Sequence, residues 1–159
     1  MAKAKPAKVK PIPDGYHSIT PYLVVKGAAK AIEYYKKAFG ATEIMRMATP
    51  DGTVGHAELK IGDSIFMMGE EVPQMGYRSP QGSTPVGLML YVDDADRIFK
   101  QAIAVGGRVD KDVKDQFYGD RSGTLYDPFG HMWTIATHVE DVSEEEMKRR
   151  MAKFMAEQK

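Results

Sequence analysis

The chain has 159 residues, with 22 Lys and Arg against 22 Asp and Glu, so its formal net charge is zero. No overall field draws it to nucleic acid or to an anionic membrane, and the lack of cysteine excludes disulfides, thiolate zinc sites and cysteine nucleophiles. Hydrophobic residues at 43% and charged residues at 28% are ordinary globular values in a chain long enough to bury a core.

Residues 1–14, MAKAKPAKVKPIPD, form a basic Lys/Ala/Pro tail too polar to pack alone, and it lacks the apolar centre of a signal peptide. No run approaches the length of a membrane span, so a soluble cytoplasmic protein is expected. From Ser18 the pattern tightens. ITPYLVV reads as a strand, and Gly27 to Phe39 carries a helical stripe at Ala28, Ala31, Ile32, Tyr35, Ala38 and Phe39, stopped by Gly40. Ala41 to Ala48, GHAELKI and SIFMMG read as three further strands, with turns at Pro50-Asp51-Gly52 and Gly62-Asp63. This is a β-α-β-β-β module.

A Gly, Pro, Gln and Ser linker follows over 70–84, and then the module repeats. VGLMLYV is a strand. Asp93 or Asp94 caps a helix with its stripe at Ala95, Ile98, Phe99, Ala102 and Val105, stopped by Gly106-Gly107. The punctuation recurs at a constant offset, Gly40 as Gly107 and Gly52 as Gly119, each 67 residues on. The helical stripe obeys the same shift, which predicts an internal duplication. The second module closes on a hairpin: a strand over Arg121 to Tyr126, a turn at Asp127-Pro128-Phe129-Gly130 and a strand over His131 to Thr137. Ser143 to Glu146 is a capping box that opens a C-terminal amphipathic helix with an apolar stripe at Met147, Met151, Phe154 and Met155. The expected organisation is a tail over 1–14, one two-module domain over 15–141 and a helix within 142–159. Within the domain, module one spans 16–69, the linker 70–84 and module two 85–138.

The paired modules, with YLVVKGAAKAIEYYKKAFGA, HAELKIGDS and DPFGHMW, resemble the vicinal oxygen chelate superfamily of glyoxalase I, extradiol dioxygenases and bleomycin-resistance proteins. The resemblance covers about Tyr16 to Asp141 and is nearest to the PhnB-like branch. It implies an α+β fold in which two curved sheets form a cavity with a helix outside each. Because this fold hosts isomerases, dioxygenases, transferases and simple binders, it does not choose a reaction. The resemblance also implies a metal site with a His or Glu on the first and last strand of each module. Those positions here are Thr20, Met67, Gly87 and Thr134, which are poor ligands for a divalent cation. No cofactor is expected, and a divalent metal only with relocated ligands.

Strand alternation anchored at these positions sets the faces. Tyr22 and Val24 join Thr20 inside; Met89 and Tyr91 join Gly87; Met132 joins Thr134. His56, Glu58 and Lys60 face the cavity or its rim, while Ala57, Leu59 and Ile61 meet the helix. The same offset places Arg121, Gly123 and Leu125 on the corresponding face of module two. The expected ligand-binding set is therefore Thr20, Tyr22, Met67, Met89, Tyr91, Arg121, Met132 and Thr134, with Glu58 and His56 as a catalytic acid–base pair. Arg121 has a second reading as a brace of its hairpin, His131 bonds locally, Trp133 belongs to the core, and His17 and His138 receive no role.

Three functions follow from this set. The first is a metal-free protein that binds an apolar or aromatic small molecule. The second is an enzyme, either a lyase or isomerase with a relocated metal or an acid–base catalyst using Glu58 and His56. The third is a structural or interaction protein. The edges of two half-open sheets and the C-terminal stripe point to a homodimer.

Overall fold

The computed structural model describes residues 9–158. The first module runs β1 (Tyr22–Val25), α1 (Ala28–Phe39), β2 (Thr42–Ala48), β3 (Val54–Ile61) and β4 (Ser64–Glu70). The second runs β5 (Gly87–Tyr91), α2 (Ala95–Ala104), β6 (Arg108–Asp115), β7 (Asp120–Tyr126) and β8 (Met132–His138), and α3 (Glu144–Glu157) follows. Each module makes a four-stranded sheet, in the order β1-β4-β3-β2 and β5-β8-β7-β6, with the outer pair β1/β4 or β5/β8 parallel and the rest antiparallel. The fold is α+β, and the duplication is visible in the identical strand order.

The helices form where the apolar stripes predict them. In α1, residues Ala28, Ala31, Ile32, Tyr35, Ala38 and Phe39 are buried, and in α2, Ala95, Ile98, Phe99 and Ala102. Their N-termini are satisfied from the end of the module's last strand. Glu70 accepts from the backbone N–H groups of Gly27 and Ala28 at 2.7 and 2.8 Å. Thr137, 67 residues on, accepts from Ala95 N at 2.8 Å and donates to the Val92 carbonyl at 2.8 Å. A side chain from the closing strand therefore supplies the partner that the helix's first N–H groups lack. Asp94 caps α2 and accepts from Arg97 N.

The two modules share one core. Both sheets turn their helix-side residues inward, so Tyr35 and Phe39 of α1 meet Phe66 of β4 and Trp133 of β8, with Phe39 and Trp133 ring centroids 4.7 Å apart. At its centre lies Asp127, only 4% exposed. Its Oδ2 accepts from the Tyr35 hydroxyl at 2.7 Å and the Trp133 indole N–H at 2.9 Å. Its Oδ1 accepts from the backbone N–H groups of Phe129 and His131 at 2.9 and 3.0 Å. A buried carboxylate needs such compensation; here it holds the Asp-Pro-Phe-Gly turn and ties module one to module two.

Several expectations are corrected. The first strand begins at Tyr22, not Ile19, and Thr20 turns back to donate to the His17 carbonyl at 3.1 Å. His131 does not bond only locally: its Nε2 reaches the Val24 carbonyl of module one at 3.0 Å. The strand β6, RVDKDVKD, has no apolar period because it is an edge strand, guarded by charge. The capping box forms only by half, with Ser143 accepting from Glu146 N while the Glu146 carboxylate turns to Arg149 and Arg150. No residue of α3 is buried; the helix touches the body through Phe154, 5.0 Å from Phe117, and through Arg150, which pairs with Glu140. The expected tail over 1–14 lies mostly outside the described residues. Among those described, no helix is long and apolar enough to cross a membrane.

The largest correction concerns register. The offset of 67 holds where Tyr22 pairs with Met67 and Met89 with Thr134. It fails on β7, because Leu59 pairs with Phe66 while Leu125 pairs with Trp133. The β7–β8 turn is longer than the Gly62-Asp63 turn, so β7 slips by one residue, and a slip of one exchanges the faces of a strand. Gly123 and Leu125 therefore meet the helix side, and Arg121 with them. Its guanidinium pairs with Asp96 of α2 at 2.6 Å and with Asp115 at 3.1 Å. Of the two readings of Arg121, the brace matches its position, though its partners are not Asp120.

Candidate functional site

Because both sheets turn their helix sides to a common core, their opposite faces point outward. Neither is an ordinary solvent face. On the open face of the first sheet, Tyr22 of β1 is 45% exposed, and Met45 and Met47 stand on β2 at the opposite edge, in register with Glu58 and His56 of β3. On the second, Met89 and Tyr91 are 50% and 57% exposed. Gly69 is required beneath Tyr22, since a Cβ there would lie 2.6 Å from the Gly55 carbonyl oxygen and 2.8 Å from the phenol oxygen.

The polar groups of the first face form one chain. The Tyr16 hydroxyl donates to Glu58 Oε2. His56 Nε2 lies 3.3 Å from Glu58 Oε1, and His56 Nδ1 lies 3.3 Å from the Tyr22 hydroxyl. The hydrogen bond from Tyr16 is the main cause that holds the Glu58 carboxyl below the usual range, with a smaller contribution from His56. The same contact raises the Tyr16 phenol. Glu58 and His56 are thus brought together as expected, and Met67 is opposite Glu58 in the ladder.

The second face has its own carboxylate. Asp120, 4% exposed, accepts from the Tyr91 hydroxyl at 2.8 Å through Oδ2. Its Oδ1 lies 2.8 Å from His138 Nδ1, and His138 Nε2 lies 2.8 Å from Asp141. Carboxylates at both ring nitrogens raise the His138 pKa, Asp141 contributing most. Along the same face, Thr124 and Thr134 exchange a hydrogen bond at 3.1 Å, and Arg108 stacks over the Tyr126 ring at 4.8 Å. The turn that delivers Asp120 depends on Gly119, whose φ is +100° and whose Cβ would lie 2.2 Å from the Glu140 carbonyl.

Of the expected ligand-binding residues, Tyr22 and Met67 share the first face, while Met89, Tyr91, Met132 and Thr134 share the second. Thr20 precedes β1, and Arg121 is on the other side of its sheet. One chain does not bring the two faces together: Glu58 and Arg121 do not line one cavity. A cleft of about 840 Å³ between the modules includes Met89 and Tyr91 but otherwise runs over Ile65, Phe66 and Trp133. Tyr16, Asp120, His138 and the β2 methionines were missed from sequence. Alternation along β2 could have found Met45 and Met47, and a one-residue longer hairpin could have found Asp120.

The model of the Glyoxalase/Bleomycin resistance protein/Dioxygenase superfamily matches residues 15–135. The chain belongs to this superfamily. An uncharacterized protein of Mycobacterium tuberculosis is 41% identical over 140 residues, covering 85% of this chain and 82% of that protein. A PhnB protein from Bacillus cereus has a similar structure, with a TM-score of 0.62 at 19% identity, covering 76% of this chain and 99% of that one. The fosfomycin resistance protein FosX from Listeria monocytogenes, solved with Mn(II) and a dihydroxypropylphosphonic acid, gives 0.60 at 20% identity, covering 82% and 94%. These structural likenesses are likenesses of fold.

The superfamily's metal positions do not fit a divalent cation here. Gly87 has no side chain and lies under the Met132 methyl group, Met67 offers a thioether, Thr20 donates to a carbonyl, and Thr134 is engaged with Thr124. Hard and borderline cations want carboxylate, imidazole or thiolate donors instead. Among the described residues, no group of three His, Asp or Glu side chains could hold a metal ion.

Proposed function

We propose that the chain is a small-molecule-binding protein of the glyoxalase/bleomycin resistance superfamily. It takes an apolar or aromatic compound between the open face of one copy's first sheet and the open face of another copy's second sheet. The observation that carries this reading is the pair of outward faces, each presenting exposed Tyr and Met around a hydrogen-bonded carboxylate. Small-molecule sites are apolar surfaces with a few converging polar groups, and methionine adapts such surfaces to varied shapes. A second copy supplies the missing wall and makes the protein a homodimer.

An acid–base enzyme is the second reading, favoured by the Tyr16–Glu58–His56–Tyr22 chain. It ranks lower because a carboxylate held below its ordinary range is a weak base at neutral pH.

Native mass spectrometry and fluorescence titration with N-phenyl-1-naphthylamine test the binding reading. The expected result is a dimer that binds the probe, with affinity weakened by about 1–3 kcal/mol in Tyr91→Ala through lost aromatic contact. A monomer that leaves the probe dark overturns it. Turnover abolished by Glu58→Gln with binding intact would move the enzyme to the front.

A further inference from the structure

The two open faces share a feature that their side chains alone do not suggest. In each, a carboxylate accepts hydrogen bonds from the groups around it. On the second face, Asp120 accepts the hydrogen bond of the Tyr91 hydroxyl at 2.8 Å, and its other oxygen lies 2.8 Å from His138 Nδ1. A phenol has one proton to give. Once that proton is committed to a buried carboxylate, the Tyr91 oxygen can only accept.

The first face repeats the logic with different residues. Tyr16 donates to Glu58, and the Nε2–H tautomer of His56 donates to the other oxygen of Glu58. That tautomer leaves Nδ1 as an acceptor, which receives the proton of Tyr22 at 3.3 Å. Every phenol of the two networks has its proton turned inward, and what remains towards a ligand is a set of lone pairs.

We infer that Asp120 and His138 are positioning residues that fix Tyr91 as a hydrogen-bond acceptor, so that the compound bound here is an aromatic donor, a phenol or an aryl amine. This rests on the binding reading above and adds the class of ligand. Asp120 sets the direction of the Tyr91 proton. His138, bridged to Asp141 at 2.8 Å, holds Asp120 in place from the other side. A ligand that offers only acceptors leaves the Tyr91 oxygen unpaired in a desolvated site, and an unmade hydrogen bond costs more than a made one contributes.

The test compares 1-naphthol with 1-methoxynaphthalene, in which a methyl group replaces the donor proton, in fluorescence titrations of the full chain; the Tyr91→Phe comparison separates the donor from the added methyl. The expected preference for the naphthol is about tenfold, the worth of one well-placed hydrogen bond. Tyr91→Phe, at an exposed position, should erase the preference, because it removes the oxygen that tells the two compounds apart. Asp120→Asn should do more than weaken binding: its amide can donate to the Tyr91 oxygen, which frees the phenol proton and moves the preference towards the ether. A merely structural role for Asp120 would lower both affinities together. Equal binding of the two compounds to the unaltered protein, or a preference that survives Tyr91→Phe, overturns this inference and leaves the binding reading standing. Failure of both compounds to bind overturns the binding reading and this inference with it.

Discussion

Removing the Tyr35 hydroxyl is the sharpest test of how the modules are joined. Tyr35 is fully buried, and its phenol donates to Asp127 at 2.7 Å across the module boundary. Burial, and then the Asp127 charge, raise its pKa well above the ordinary tyrosine value, so it stays a donor through the accessible pH range. Tyr35→Phe keeps the ring and its contacts with Phe66, Phe39 and Trp133. The loss is therefore one hydrogen bond to a buried charged group, about 1.5–3 kcal/mol. At this chain length each kcal/mol lowers the midpoint by about 2–4 °C, so a fall of roughly 3–12 °C is expected. Asp127→Asn should cost more. It converts one acceptor oxygen into a donor that faces two donors already in place, orphaning groups worth about 1–3 kcal/mol each. Urea denaturation of both variants gives the ordering. A Tyr35→Phe change within about 0.5 kcal/mol of zero, the level of an ordinary surface substitution, would refute this account of the joint.

Two further outcomes are expected. Arg121→Ala should leave N-phenyl-1-naphthylamine affinity unchanged and move the urea midpoint little, because its pairs with Asp96 and Asp115 are exposed and on the helix side; a marked loss of probe binding would return it to the site. His138 should make stability fall as pH rises. Its folded pKa is raised above 6.5, so its contribution is fully present below that value and is lost as pH climbs through the folded pKa. His138→Asn should flatten this part of the profile of urea midpoint against pH, and an unchanged profile would show that the imidazolium pairs contribute nothing.

The fold was legible because its signals are local. The stripe of α1, the glycine at its end and the alternation of β3 each act within a few residues, and the 67-residue repeat multiplied them. The site was legible only in part. Glu58 and His56 stand two apart on one strand, so alternation alone placed them together. Asp120 and His138 meet across the β7–β8 ladder, in a register set by the length of the turn between them. A constant offset carried over that turn put Arg121 on the wrong face and hid Asp120. His138 had no visible partner because both of its carboxylates come from chain reversals, one after Gly119 and one in the segment before α3. Tyr16 approaches Glu58 from outside any strand, and periodicity says nothing about such a segment.

The symmetry of the two halves ends at Asp127. The corresponding turn of the first module is Gly62-Asp63, a short reversal with no buried carboxylate, and α2 has Ala102 where α1 has Tyr35. The halves are thus not interchangeable, although they fold to the same strand order. Two copies of the first module would bring a pair of buried phenols and no acceptor; two copies of the second would bring a pair of buried carboxylates and no phenol. The joint therefore needs one copy of each half, and the linker over 70–84 keeps together two units that are specific for each other.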